Sequence, residues 1–158
     1  MKDITLTPMV EHHRAALLAV RVHYDQVAFS GQPADVIGTD LPQIDTHVVL
    51  SGQFPIGMFR IDCDYHKHHL FADPASVGLR TFLIDKNHQR QGIAKAVSGR
   101  LLNYLSEHYP NKTSVILTVN LRNSIAKAIY LHGGFIDTQA QYMGGLVGPQ
   151  NILKLHLN

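Results

Sequence analysis

Short runs in which apolar and polar residues alternate are interleaved with longer stretches of helical spacing, and the sequence predicts an order of elements from that contrast. Ile4 and Leu6 alternate with polar neighbours as a first strand. Thr7-Pro8 then reads as a helix start, with Thr7 as N-cap and Pro8 in the first helical position, and Leu17, Leu18 and Val22 continue that helix to about Tyr24. Residues 26–45 mix Phe29, Gly31, Pro33, Gly38 and Pro42 with short apolar pairs, which predicts a loop and a second short helix from near Pro33 through Ala34, Val36 and Ile37. Such a segment suits either the border of a substrate cleft or plain connection. Residues 47–50 and 54–62 read as two strands joined through Ser51-Gly52-Gln53.

Between Asp62 and Val77 the sequence is polar and holds Tyr65, His66, Lys67, His68 and His69, which reads as a solvated hairpin tip. His-x-His spacing suits a metal, but no carboxylate or cysteine follows at ligand spacing, so no metal is expected. A strand over 77–85 and a helix over 92–108 come next, the helix stopped near Pro110. Residues 113–120 form a further strand with Val115, Leu117 and Val119 on one side. Asn123 then caps a helix carrying Ile125, Ala126, Ile129 and Tyr130, which Gly133-Gly134 ends. The last two strands, over 135–143 and 152–157, are linked by a turn containing Gly144, Gly145 and Gly148. The whole is an α+β chain, a mixed α/β sandwich of about seven mainly antiparallel strands and about four helices.

The most specific chemistry lies in residues 79–94. A strand runs into Lys86, Asn87 and His88, and then into Gln89-Arg90-Gln91-Gly92-Ile93-Ala94 at the mouth of a helix. The first backbone N–H groups of a helix lack internal partners and carry partial positive charge, so a turn that curls them around a point binds an anion. Gly92 lets a phosphate approach the backbone, and Ala94 leaves the helix mouth open. The same spacing also fits an ordinary strand-to-helix corner in which the glycine serves only the turn.

Gln-x-x-Gly-x-Ala after a strand resembles the (Gln/Arg)-x-x-Gly-x-(Gly/Ala) pyrophosphate loop of the Gcn5-related N-acetyltransferase (GNAT) family. Asn123-Ser124-Ile125-Ala126-Lys127-Ala128-Ile129-Tyr130-Leu131-His132-Gly133-Gly134-Phe135 resembles the same family's Asn-x-x-Ala-x-x-(Leu/Ile)-Tyr-x-x-x-Gly-Phe segment. The two motifs cover residues 79–135, and the order of elements extends the likeness over nearly the whole chain. On its own, Tyr130 fits equally a core tyrosine. Its spacing from Asn123, two helical turns, puts both on one face with the small Ala126 between them.

The resemblance implies one N-acetyltransferase domain over residues 1–158, with acetyl-coenzyme A as cosubstrate and a small-molecule amine as acceptor. Backbone groups of Phe82, Leu83 and Ile84 would pair with the pantetheine arm where the strands splay, with a bulge in the 77–85 strand as the usual device. Amides from Gln89, Arg90, Gln91, Gly92, Ile93 and Ala94 would hold the pyrophosphate, Asn123 and Ala126 would border the cofactor, and Tyr130 would protonate the departing thiolate. Asp62, Asp85 and His47 are the candidates for the base. Arg80 either faces the substrate channel, where it suits a carboxylate-bearing substrate, or pairs with an aspartate.

Within the family the chain is nearest to the diamine and polyamine branch, a loose correspondence that Lys86 and Arg90 depart from. An acidic pocket for a polyamine would draw on Asp25, Asp45, Asp62, Asp64 and Asp73. The other readings are a non-catalytic coenzyme A-binding sensor or interaction module, and an acetyltransferase acting on a protein or peptide amine.

Composition narrows the partners. With 45% apolar and 16% charged residues the chain is globular rather than disordered. A net charge of +2, without a basic run interleaved with aromatics, points away from nucleic acid. No apolar run reaches membrane-span length and no signal-peptide pattern opens the chain, so the cytoplasm is the expected compartment. The one cysteine, Cys63, reads as a buried spectator thiol. A homodimer is compatible with these features.

Overall fold

The computed structural model describes residues 3–23, 26, 32–33, 37 and 41–158. One seven-stranded sheet carries the fold, in the order β1-β2-β3-β4-β5-β7-β6. Its strands are β1 (Ile4–Pro8), β2 (Ile44–Ser51), β3 (Phe54–Asp62), β4 (Ser76–Ile84), β5 (Ser114–Asn120), β6 (Ile136–Tyr142) and β7 (Gln150–His156). Every neighbouring pair is antiparallel except β4 and β5. The helices among the described residues are α1 (Arg14–Ala19), α2 (Ile93–His108) and α3 (Ser124–His132), with 3-10 turns over Glu11–His13, Tyr65–Lys67 and Lys86–His88. The α+β class and the mainly antiparallel seven-stranded sheet are as expected. The fourth expected helix, from near Pro33, falls largely outside the described residues.

Alternation on the strands sends two sets of side chains to the two faces. Phe59, Ile61, Val77, Leu79, Val115, Leu117 and Leu153 meet Ile93, Val97, Leu101 and Leu105 of α2 in the main core. On the opposite face the apolar residues form two separate clusters. One joins Leu17, Val20 and Val22 to Met58 and Leu83, and the other gathers Tyr65, Ile116 and Ile152.

Three expectations are corrected. Thr7 and Pro8 end β1, where Thr7 pairs with Val48 and Pro8 with His47, so neither opens a helix. Proline is tolerated there because β1 is an edge strand and has only one neighbour to bond. The helix begins at Arg14 and stops at Ala19, because Val20 is already extended with φ −64° and ψ 137°; Tyr24 lies outside the described residues. The loop after Asp62 is packed rather than solvated: Tyr65 is only 3% exposed and lies where a side chain on Gly78 would stand, 2.1 Å from the position of its Cβ. Its ring clusters with those of His69 and Phe71, and Tyr142 joins them from β6.

Candidate active site

The site grows from one interruption in the sheet. β4 and β5 are paired only at Ser76 with Ser114, Val77 with Val115 and Gly78 with Ile116. Beyond Gly78 the strands part, and the β5-facing backbone groups of residues 79–84 have no ladder partner. On its other side β4 stays bonded to β3, with a bulge: Phe59 faces Phe82 but Ile61 faces Leu79, so β4 has one residue more than β3 across that interval. A bulge sharpens the local bend and re-aims the strand, which is what a splay at this point needs.

Each parted strand leads to a helix that borders the gap. After β4 the chain makes the turn over Lys86–His88 and curls through Arg90 at φ 60° and Gly92 at φ 79°, while Gln91 between them keeps a negative φ. Alternation of hand along a backbone turns successive N–H groups toward one point. Gly92 is the N-cap of α2, no side chain bonds to that cap, and the first turn of the helix holds no acidic residue. A Cβ on Gly92 would meet nothing within 4 Å. The corner is therefore a concave set of amides, open to solvent and uncapped by the protein.

The side chain of Gln89 turns away from this corner. Its Nε2 donates to the Ile84 carbonyl at 2.7 Å and its amide pairs with that of Gln26 at 2.9 Å, which fastens the loop to the end of β4. Arg90 and Gln91 are largely exposed, whereas Ile93 is buried beneath the turn.

From β5 the chain enters α3 through Asn123, whose Oδ1 accepts the Ala126 N–H at 3.3 Å. Tyr130 lies on this helix with its ring 6.1 Å from Phe82 and 5.5 Å from Phe135. Among the described residues nothing hydrogen-bonds to its hydroxyl, and burial pushes its pKa up, so the phenol stays protonated well above neutral pH. Ser98 of α2 donates to the Ile129 carbonyl at 2.8 Å. Gly133 sits so close that a Cβ there would lie 2.1 Å from Ser98 Oγ. This contact sets the spacing between the α2 corner and the phenol.

The three candidate bases are all engaged. Asp62 accepts from Arg80 Nε at 2.8 Å and from the Asp64 N–H at 2.9 Å. Asp85 accepts the Arg21 N–H at 3.0 Å and faces His88 at 3.3 Å, closing the turn after β4. His47 lies 2.6 Å from the Tyr104 hydroxyl and 2.8 Å from that of Tyr109, and Tyr109 donates onward to Asp45 at 2.7 Å. Burial brings the His47 pKa down to about 4. That network sits roughly 18 Å along α2 from Gly92, counting 1.5 Å per residue, beside an open groove of about 470 Å³ lined by Glu11, Arg14, Asp45 and His108.

The aspartates named for an acidic pocket do not converge. Asp64 pairs with Lys67 at 3.1 Å, Asp73 accepts the Ala75 N–H in a turn, and Asp45 belongs to the Tyr109 network on the other face. Asp25 lies outside the described residues. Among the described residues no three His, Cys, Asp or Glu side chains are grouped to hold a metal, and no helix is long and apolar enough to cross a membrane. Cys63 is partly buried and its pKa is pushed up to about 11, chiefly by burial and the neighbouring Asp45.

Beside the bulge stands a charged residue not singled out above. Arg60 stands two residues from the end of β3, inside a stretch otherwise apolar from Pro55 to Ile61, and is only 9% exposed. A charge inside such a run is the signal that marks it.

Comparison with known proteins identifies the family and the fold. The acetyltransferase (GNAT) domain family matches residues 33–146. An uncharacterized N-acetyltransferase, YbbJ of Bacillus subtilis (strain 168), is 27% identical over 155 residues, 96% of each chain. Among solved structures, the aminoglycoside acetyltransferase AAC(6')-Ib in complex with coenzyme A superposes with a TM-score of 0.77 at 20% identity, over 98% of this chain and 95% of that one. A spermidine N-acetyltransferase SpeG chimera from Vibrio cholerae does so with a TM-score of 0.68 at 17% identity, over 97% and 94%.

Proposed function

Since the chain belongs to the GNAT acetyltransferase family and is an acetyl-CoA-dependent N-acetyltransferase, we propose that it acetylates a primary amine of a small molecule at the gap between β4 and β5. The observation that carries this reading is the gap itself, with an uncapped amide corner at Gly92 on one side and the unbonded phenol of Tyr130 facing Phe82 on the other. Bound acetyl-coenzyme A supplies the acetyl thioester: a C–N bond to the amine forms and the C–S bond breaks.

In this reading the chain's own groups divide the work as follows. The amides from Gln89 to Ala94 hold the pyrophosphate, and within Phe82-Leu83-Ile84 the backbone groups that alternate toward β5 orient the arm as an added strand would be oriented, with the Ile84 carbonyl already taken by Gln89. An N–H at the β4 bulge polarises the carbonyl as it gains charge. Asn123 and Ala126 keep the α3 wall low and smooth. The sulfur departs as an anion, and Tyr130 gives it a proton so that no thiolate charge is left in the gap; the nitrogen, which carries one proton too many once the C–N bond has formed, releases it to restore the phenol. The amine must arrive without its proton, because an alkylammonium of pKa about 10.4 has no lone pair to attack with. With Asp62, Asp85 and His47 engaged, that proton leaves to solvent through the open cleft. Positioning of two substrates then supplies much of the rate.

Thiol release from acetyl-coenzyme A, followed over a panel of amines that includes spermidine, amino acids, aminoglycosides and a peptide N-terminus, tests the proposal. Turnover with a small amine supports it. Coenzyme A binding without turnover on any of them identifies a sensor module instead, and turnover confined to the peptide identifies a protein or peptide acetyltransferase. Light scattering of the same sample decides between a monomer and a homodimer.

A further inference from the structure

On the sheet face away from α2, the two apolar clusters are kept apart by a polar patch of Arg60, Asp62 and Arg80. Arg60 and Asp62 alternate with Phe59 and Ile61 and so emerge on this face together with Met58. Arg80 reaches the same patch from β4, donating to Asp62 and lying 5.8 Å over the Tyr65 ring.

The charges in this patch do not balance. Asp62 is 1% exposed and its two oxygens are taken by Arg80 and the Asp64 N–H. Among the described residues no hydrogen bond or ion pair reaches the Arg60 guanidinium, although Arg60 is nine-tenths buried. Its nitrogens are not among the sealed, unpartnered polar atoms of the described residues, so an incoming anion can reach them. Burial and the neighbouring Arg80 both push the Arg60 pKa down from its ordinary value, while Asp62 acts the other way. His69 is driven toward its neutral form by burial and by Arg80, and burial pushes the Tyr65 phenol up to about 12. Neither therefore adds an anion, and Asp64 is paired with Lys67. Two guanidinium groups face one carboxylate. Beyond its bond from Nε to Asp62, Arg80 has its remaining N–H groups unbonded among the described residues, and its side chain is 37% exposed.

The position matters as much as the charge. Arg60 lies opposite the extra residue of the β4 bulge, between the Phe59–Phe82 and Ile61–Leu79 pairs, where β4 has parted from β5. An acceptor amine that attacks a thioester held in the gap has to come to this bulge.

We propose that the acceptor carries a carboxylate as well as its amine, and that Arg80 grips that carboxylate in the cleft while Arg60 supplies the positive charge beneath it. This rests on the acetyl-transfer reading and names the substrate class of the same site. A planar guanidinium with a free fork matches a carboxylate in two parallel bonds. The apolar clusters on either side suit the carbon chain between the two ends of an amino acid. A polyamine would instead bring a second ammonium against two guanidinium groups, where Asp62 is already taken by Arg80 and Asp64 by Lys67.

The test compares ω-amino carboxylic acids of three to six carbons with the carboxamides and the diamines of equal length, spermidine included. With the wild-type protein, kcat/KM for the best acid should exceed that of its carboxamide and diamine by about 10- to 100-fold, the range of a charge-assisted hydrogen-bond pair. Arg80→Gln and Arg60→Met should each carry that ratio toward one by raising KM for the acid, with coenzyme A affinity kept. A second arm uses glutarate, which has no amine, in a calorimetric titration of the coenzyme A-bound protein: binding should be present in the wild type and lost in both variants. If Arg60→Met does not fold, Arg60→Lys keeps the charge without the fork and should give an intermediate ratio. Preference for diamines or carboxamides, or glutarate binding that is absent from the wild type or equal in all three proteins, overturns the proposal. If no amine is acetylated, the acetyl-transfer reading fails, and the glutarate titration still decides whether the carboxylate site exists.

Discussion

Replacing Gly92 by alanine separates the strain of an unusual backbone from the loss of a binding corner, because the protein holds its own control. Gly52, in the β2–β3 hairpin, has φ +62° and Gly92 has φ +79°, and a Cβ at either would meet nothing within 4 Å. The conformational cost of an L-residue in this left-handed region is about 1–2 kcal/mol at either site. At about 2–4 °C per kcal/mol for a chain of this size, each variant should melt about 2–8 °C lower than the wild type. Only Gly92 stands at the mouth of α2, where the new methyl group would occupy the approach to the amides of Gln91 to Ala94. Losing one or two charge-assisted bonds to the pyrophosphate, at about 1.5–3 kcal/mol each, weakens coenzyme A binding by about tenfold or more. Calorimetric titration of both variants with coenzyme A, beside their thermal melts, reads the two effects separately. Equal coenzyme A affinity in Gly52→Ala and Gly92→Ala, with equal melting shifts, would refute the reasoning.

Other consequences can be checked on the same protein. Tyr130→Phe should lower kcat by about tenfold or more while coenzyme A affinity stays within twofold; single-turnover rates and a titration measure the two, and unchanged kcat removes the phenol from the chemistry. Because no engaged side chain supplies a base, kcat/KM should climb tenfold per pH unit between pH 6 and the pKa of the acceptor amine, and a plateau near pH 7 would reveal a base in the protein. Gly133→Ala drives a methyl group into Ser98 and should cost about 1–3 kcal/mol of stability together with activity, as urea unfolding and rate assays would show. His47 has its pKa lowered to about 4 from an ordinary 6.5, so the unfolded chain binds more protons than the folded one between those values. Stability should then be full above pH 6.5 and fall as the pH drops toward 4, by up to about 1.4 kcal/mol per pH unit; urea midpoints from pH 7 to 4.5 that keep this slope in His47→Asn would contradict the assignment.

Much of the frame was legible because local signals agreed with the global fold. The hairpin at Gly52, the Asn123 cap and the glycines after α3 are all short-range devices, and all three stand where the sequence puts them. The helix mouth at Gly92 was legible as well, from a glycine set between a strand pattern and a helical one, and the backbone there does take positive φ. Where the sequence misled, a long-range partner decided. Thr7-Pro8 reads as a helix start until β2 pairs with it, and the histidine-rich loop reads as solvated until Gly78 leaves room for Tyr65. His47 looked free on its strand because the two phenols that bind it arrive from α2 and the residue just after it, more than fifty residues later. The register of β3 on β4 sets Arg60 beside the bulge, and no local pattern reveals that register.

Titration of the 15N-labelled protein with coenzyme A, read as amide shifts residue by residue, tests the central claim most directly. The account predicts the largest shifts at residues 90–95, at the mouth of α2, and at residues 79–84 of the parted strand. Residues 44–47 and 108–109 beside the distant groove should stay still. Shifts gathered at that groove, with the Gly92 corner unmoved, would contradict it.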